Sequence, residues 1–139
     1  MKLVVDTNVL VAAFRSSSGA SNALLRQAAS GAVTLLCSTA LFLEYEAVLA
    51  RPEVRMATGH SLEDVESIMN AIAAIAEPVD VHFRTRPILR DANDELVLEA
   101  ASNGEADCIA THNLRDFAPT AELGMTVAAP GEILRRLQT

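Results

Sequence analysis

Asp6, Glu44, Asp94 and Asp116 are the side chains of this sequence best placed to do chemistry together. Asp6 ends the apolar run Leu3-Val4-Val5, and a second apolar run, residues 9–14, follows Thr7-Asn8. An acid between a β-branched strand and a helix stands where open α/β sheets bind ligands. Glu44 has apolar Leu41 three residues before it and Val48 four residues after it, so it lies inside an apolar helical stripe. A carboxylate there is costly unless a cation meets it; Glu46 is the better solvated acid. Asp94, in Arg90-Asp91-Ala92-Asn93-Asp94, shares a helix face with Val97, Leu98 and Ala101. Asp116 follows the apolar segment at 107–111.

Each acid also has an ordinary explanation. Asp6 can cap a helix, Asp91 and Asp94 can favour a helix dipole, and Asp116 can pair with Arg115. Gathered at one sheet edge, however, the acids would repel and raise one another's pKa. A hard cation stabilises such a group at neutral pH, and oxygen ligands favour Mg²⁺ or Mn²⁺. The expected chemistry is metal-assisted phosphodiester hydrolysis, in which the ion binds the scissile phosphate, acidifies a water and stabilises the leaving oxygen.

The elements that must position these acids alternate along the chain. Residues 2–6 read as a buried strand and 7–14 as a short helix, followed by a Ser16-Ser17-Ser18-Gly19 loop. Residues 21–30 read as a helix stopped by Gly31, and 33–37 as a second strand. Ser38 or Thr39 caps a helix to about Leu49, which Arg51-Pro52 ends. Ser61, with Asp64 three residues on, starts a longer helix that Pro78 stops. A short strand over 79–83 and an irregular connector around Pro87 lead to a helix begun by Asp91 or Asn93. Strands at 107–111 and 125–128 follow, and Pro130 opens a C-terminal helix. Strands alternating with helices predict one α/β domain over 1–139: a Rossmann-like, mostly parallel sheet of about five strands, with helices on both faces. Right-handed crossovers then put every strand's C-terminal end on one edge.

Composition narrows the chemistry. The net charge is −7, against a general nucleic-acid binder with a basic surface, yet acids that hold cations can still meet phosphate. Lys2 is the only lysine, which excludes a P-loop and a Schiff-base lysine. With 4% aromatic residues and no Trp, base-stacking platforms are scarce. Cys37 and Cys108 read as reduced core thiols. No apolar run reaches a membrane span, the N-terminus does not read as a signal peptide, and a cytoplasmic location is the default expectation.

The blocks Val4-Val5-Asp6-Thr7-Asn8-Val9-Leu10, Glu44, Asp91-Ala92-Asn93-Asp94 and Ala110-Thr111-His112-Asn113-Leu114-Arg115-Asp116-Phe117 together resemble the PIN domain, most closely the VapC-like toxins and their relatives. The match runs in order along essentially the whole chain. The resemblance implies a Mg²⁺- or Mn²⁺-dependent ribonuclease in which Asp6, Glu44 and Asp94 are the three central acids. Asn113 stands where the family often carries a fourth acid, and Asp116 then completes the site. Thr7 and Asn8 shape the loop of the first acid, and Ser38 or Thr111 hydrogen-bonds near the metal. The resemblance further implies an RNA substrate, a homodimer and an antitoxin peptide lying over the groove.

Arg84, Arg86 and Arg90 precede Asp91 and are candidates for an RNA path, as is His112 beside the acids. His60, His82 and His112 lack the spacing of a metal triad. A phosphoacceptor domain with Asp6 as nucleophile would look for a late lysine that this chain lacks. A PIN-like module that binds RNA or protein without cleavage is the remaining alternative, because of Asn113.

Overall fold

The computed structural model describes residues 1–83 and 87–138, so Arg84 and Arg86 lie outside the described residues. Five parallel strands form one sheet: β1 (Lys2–Val5), β2 (Thr34–Ser38), β3 (Glu77–Val79), β4 (Cys108–Ala110) and β5 (Val127–Ala128), in the order β3-β2-β1-β4-β5. Seven α-helices among the described residues flank it: α1 (Thr7–Arg15), α2 (Ala20–Ala29), α3 (Thr39–Leu49), α4 (Pro52–Thr58), α5 (Leu62–Ile75), α6 (Ala92–Asn103) and α7 (Pro130–Leu137). Leu3, Val4 and Val5 are all buried. Successive strand residues point to opposite faces, so both faces of β1 are covered.

The strand order turns back on itself at β1. From there β2 and β3 extend one way, and β4 and β5 the other. Ligands bind at such a switch point, outside the carboxyl ends of the strands. Asp6 follows β1 and Thr111 follows β4, so they flank the crevice. The Asp6 N–H donates to Ala110 O at 2.8 Å, and the Thr111 N–H to Ala128 O at 3.1 Å. The backbone beneath both side chains is therefore held by the sheet ladder.

Local rules account for most boundaries. Ser38 Oγ caps α3 by accepting from the Leu41 N–H at 3.2 Å. Ser61 and Asp64 form a complete capping box on α5. Asp91 caps α6, accepting from the Asn93 N–H at 2.7 Å. Pro52 does more than end α3: it occupies the first turn of α4, where its missing N–H costs nothing. The strand expected over 79–83 is displaced to Glu77–Val79. Pro78 is tolerated there because β3 is an edge strand. After β4, residues Leu114–Leu123 wind as 3-10 turns around Pro119.

Both thiols are buried. Burial pushes Cys37 up to about 12 and raises Cys108, so neither is a nucleophilic thiolate at neutral pH. Among the described residues no helix is long and apolar enough to cross a membrane.

Candidate active site

Asp6 stands at the N-cap position of α1, yet its carboxylate makes no capping hydrogen bond. It accepts instead from Thr111 Oγ1 at 2.7 Å. Thr111 is fully buried, and its Oγ1 in turn accepts from the Asn113 N–H at 3.0 Å. A buried hydroxyl from the end of β4 thus orients the carboxylate at the end of β1. Burial raises the Asp6 pKa. The Thr111 bond and the nearby Thr7 and Asn8 amides work against that rise, and the charge of Asp116 adds to it.

Glu44 projects from α3 into the same hollow. That space, of about 440 Å³, is lined by Asp6, Thr7, Asn8, Glu44 and His112, together with Arg15 and Arg51. Glu44 Oε1 is buried with no hydrogen-bond partner among the described residues. An unpartnered buried carboxylate oxygen costs free energy. Position 44 is therefore retained against a local penalty, as its place in an apolar stripe led us to expect.

Asp94 begins the first turn of α6 and lines the adjoining hollow, of about 570 Å³, with Arg90, Asp91, Arg115 and Asp116. Its pKa is pushed up to about 6, chiefly by burial and then by the charges of Asp6, Asp91 and Asp116. Four carboxylates contributed by the ends of β1 and β4 and by α6 therefore share one electrostatic environment. Among the described residues, no three His, Cys, Asp or Glu side chains are drawn together as a ready-made metal set. The acids interact through charge rather than through shared ligation geometry.

The other residues singled out from the sequence divide by location. Asn8 Oδ1 accepts from the His112 N–H at 3.4 Å, and His112 Nε2 lies 2.7 Å from the buried Ser21 Oγ on α2. Ser38, the α3 cap, lines a separate apolar recess with Cys37, Thr39 and Phe42. Asn113 is exposed. Arg90 is exposed beside Asp94.

Sequence reasoning passed over Tyr45, Ser21, Asn93, Arg15, Arg51 and Arg115. Tyr45 is fully buried, and its hydroxyl donates to Val5 O, the carbonyl just before Asp6. Its neighbour in sequence is Glu44, so one hydrogen bond fixes α3 against β1 at the point where two acids must meet. Replacing Tyr45 by Phe should leave Val5 O without this donor and cost about 1–3 kcal/mol. Chemical denaturation of Tyr45→Phe measures it; an unchanged midpoint would deny the bond any structural weight.

A family model described as PIN domain matches residues 2–115. The chain belongs to the PIN domain family. The match begins at β1, spans Asp6, Glu44, Asp91, Asp94, Thr111 and Asn113, and ends one residue before Asp116. PIN domains are generally nucleases, which agrees with a carboxylate group at the sheet's switch point. A search of curated proteins found no match to the chain. In this PIN domain the chemistry of these donors, though not their mutual geometry, suits a hard divalent cation. The donor set is made of oxygens, one of them is buried and unpartnered, and burial and mutual repulsion both penalise the charges of Asp6 and Asp94.

Proposed function

We propose that this PIN domain, as one unit over residues 1–139, is a divalent-metal-dependent endoribonuclease that hydrolyses RNA phosphodiester bonds. The observation that carries the reading is the raised pKa of Asp94 beside Asp6, Asp91 and Asp116, together with the unpartnered Glu44 oxygen in the adjoining hollow. A cation removes both penalties at once.

Asp6, Glu44 and Asp94 would hold Mg²⁺ or Mn²⁺, with Asp116 completing the set in place of an acid at position 113. Bound there, the ion supplies positive charge to the scissile phosphate and lowers the pKa of an attacking water. The protein's own contribution is positional. Thr111 orients Asp6, Tyr45 fixes α3 to β1, and Ser21 holds the His112 ring at the rim of the hollow. Asp91 caps α6 and adds negative charge beside Asp94. Thr7 and Asn8 wall the hollow around Asp6, and Asn8 also ties down the His112 backbone.

The family resemblance supports a biological setting as the toxin of a toxin–antitoxin pair, acting in the cytoplasm as a homodimer and silenced by an antitoxin peptide over the groove. A small upstream gene overlapping this one would support it. Asn113 favours one other reading, a module that binds RNA or a protein partner without cleaving. One experiment separates the two. The purified protein should cleave single-stranded or structured RNA in Mg²⁺ or Mn²⁺ and stop in EDTA. Cleavage that persists in EDTA contradicts the metal-dependent reading, and tight RNA binding without any cleavage selects the binding module.

A further inference from the structure

We infer that Arg15 and Arg51 on one side of the acids, and Arg90 and Arg115 on the other, clamp successive phosphates of a single-stranded RNA. The strand would cross the acid group from one hollow to the next. The inference presupposes the ribonuclease proposed above and names how that site takes its substrate.

The chain has a net charge of −7, ten arginines and one lysine. Four of those arginines line the two hollows that contain the acids. The hollows adjoin, since Asn93 lines the first and its neighbour Asp94 the second. In an acidic protein, that gathering of cations is local rather than a property of the whole surface.

The four guanidinium groups are exposed. None makes an ion pair or side-chain hydrogen bond with another described residue, although carboxylates stand in the same hollows. Some cations elsewhere are paired, although Arg26 on α2 is as free as these four. Arg135 and Arg136 bind Glu132, and Arg55 Nε donates to Ala50 O at 3.1 Å. Unpaired guanidinium forks beside a cation-seeking acid group match an incoming phosphodiester backbone, which needs both.

Position along the chain explains how they come to flank the acids. Arg15 lies seven residues after Asn8 on α1, with Val11 and Ala12 between them on the same wall. Arg51 lies just past the end of α3, at the extended N-cap of α4, and lines the same hollow as Glu44 and Val48. Arg115 lies one residue before Asp116 in the 3-10 segment, and Arg90 one residue before the α6 cap.

Among the described residues no Phe, Tyr or Trp lines either hollow, and His112 is the one aromatic ring there. Base stacking therefore contributes little, and affinity is carried by the backbone and is steep in salt. The site is expected to tolerate many sequences in binding.

The test is fluorescence anisotropy of a short single-stranded RNA with the Asp94→Asn protein in Mg²⁺, which leaves the strand intact, at a series of salt concentrations. Each arginine on a phosphate contributes about 0.7 to the slope of log affinity against log salt for single strands. Arg15→Ala/Arg51→Ala should lower that slope by roughly 1.4, and adding Arg90→Ala/Arg115→Ala by roughly as much again. Arg26→Ala, at an exposed arginine of α2 that lines neither hollow, should leave it unchanged. The clamp is overturned if either pair leaves the slope intact, if Arg26→Ala lowers it equally, or if duplex RNA binds more tightly with the same arginine dependence. If the wild type cleaves RNA while the slopes stay fixed, the clamp alone fails. If the wild type neither binds nor cleaves RNA, the ribonuclease reading fails with it.

Discussion

Asn at position 94 should abolish RNA cleavage and yet leave the metal-free protein more stable than the wild type at neutral pH. The two effects share one cause. The carboxylate of Asp94 is kept where burial and the charges of Asp6, Asp91 and Asp116 penalise it, and its pKa stands at about 6. Asn removes the charge but keeps the shape. Activity should fall by at least roughly 10²–10³-fold, the scale on which removal of one preorganised electrostatic group acts. Stability moves the other way because a destabilising charge is gone, a common cost of building an active site.

The pH dependence gives this prediction its sign. An unfolded Asp releases its proton near about 3.9, whereas folded Asp94 holds it until about 6. Between those values the folded state binds a proton that the unfolded state has lost. Stability is therefore greatest below the unfolded value and declines as pH rises through the folded one. In EDTA, melting temperatures of wild type and Asp94→Asn should converge at the acid end and separate as pH rises from about 4 to about 6, the variant staying higher by a constant margin above that. Parallel curves, or a less stable variant at alkaline pH, would remove Asp94 from the strained group.

Addition of Mg²⁺ or Mn²⁺ should then raise the melting temperature of the wild type by on the order of 10 °C. An ion at about 100 times its dissociation constant contributes about 2.7 kcal/mol. A chain of this size gains about 4 °C for each kcal/mol. The ion also offsets the burial and, secondarily, the repulsion that raise Asp6 and Asp94, and gives the Glu44 oxygen a partner. EDTA should reverse the shift, and Asp94→Asn should show little of it. An equal shift in wild type and variant would mean that the ion binds elsewhere.

Much of this was legible in the sequence because it is local. The strand β1, the cap of α3, the capping box of α5 and Pro130 at the start of α7 each follow from residues within one turn of one another. Asp6, Glu44 and Asp94 stood out because each acid lies in an apolar context. Other features depend on contacts distant in sequence: Thr111 is offered by the family resemblance as one of two hydrogen-bonding candidates near the metal, but its partner was not legible. Thr111 and Asp6 are 105 residues apart, and Tyr45 and Val5 are 40 apart, so only the register of β1 against β4 and of α3 against β1 joins them. The 3-10 segment after β4 contains Pro119 and lacks the periodicity of an α-helix, so its winding could not be read, although Asp116 within it is expected beside Asp94. Arg15 did carry a signal, its helical spacing from Asn8 on α1. It becomes meaningful only once the strand order brings α1 and α3 to the same hollow.

The central claim is that Asp6, Glu44 and Asp94 act as one cation-holding group. Calorimetric titration of the metal-free protein with Mn²⁺ tests it most directly, since it requires no substrate. Saturable binding should appear in the wild type and be lost in Asp6→Asn and in Asp94→Asn, each first checked by circular dichroism to be folded. No binding by the folded wild type, or undiminished binding in both variants, would contradict it.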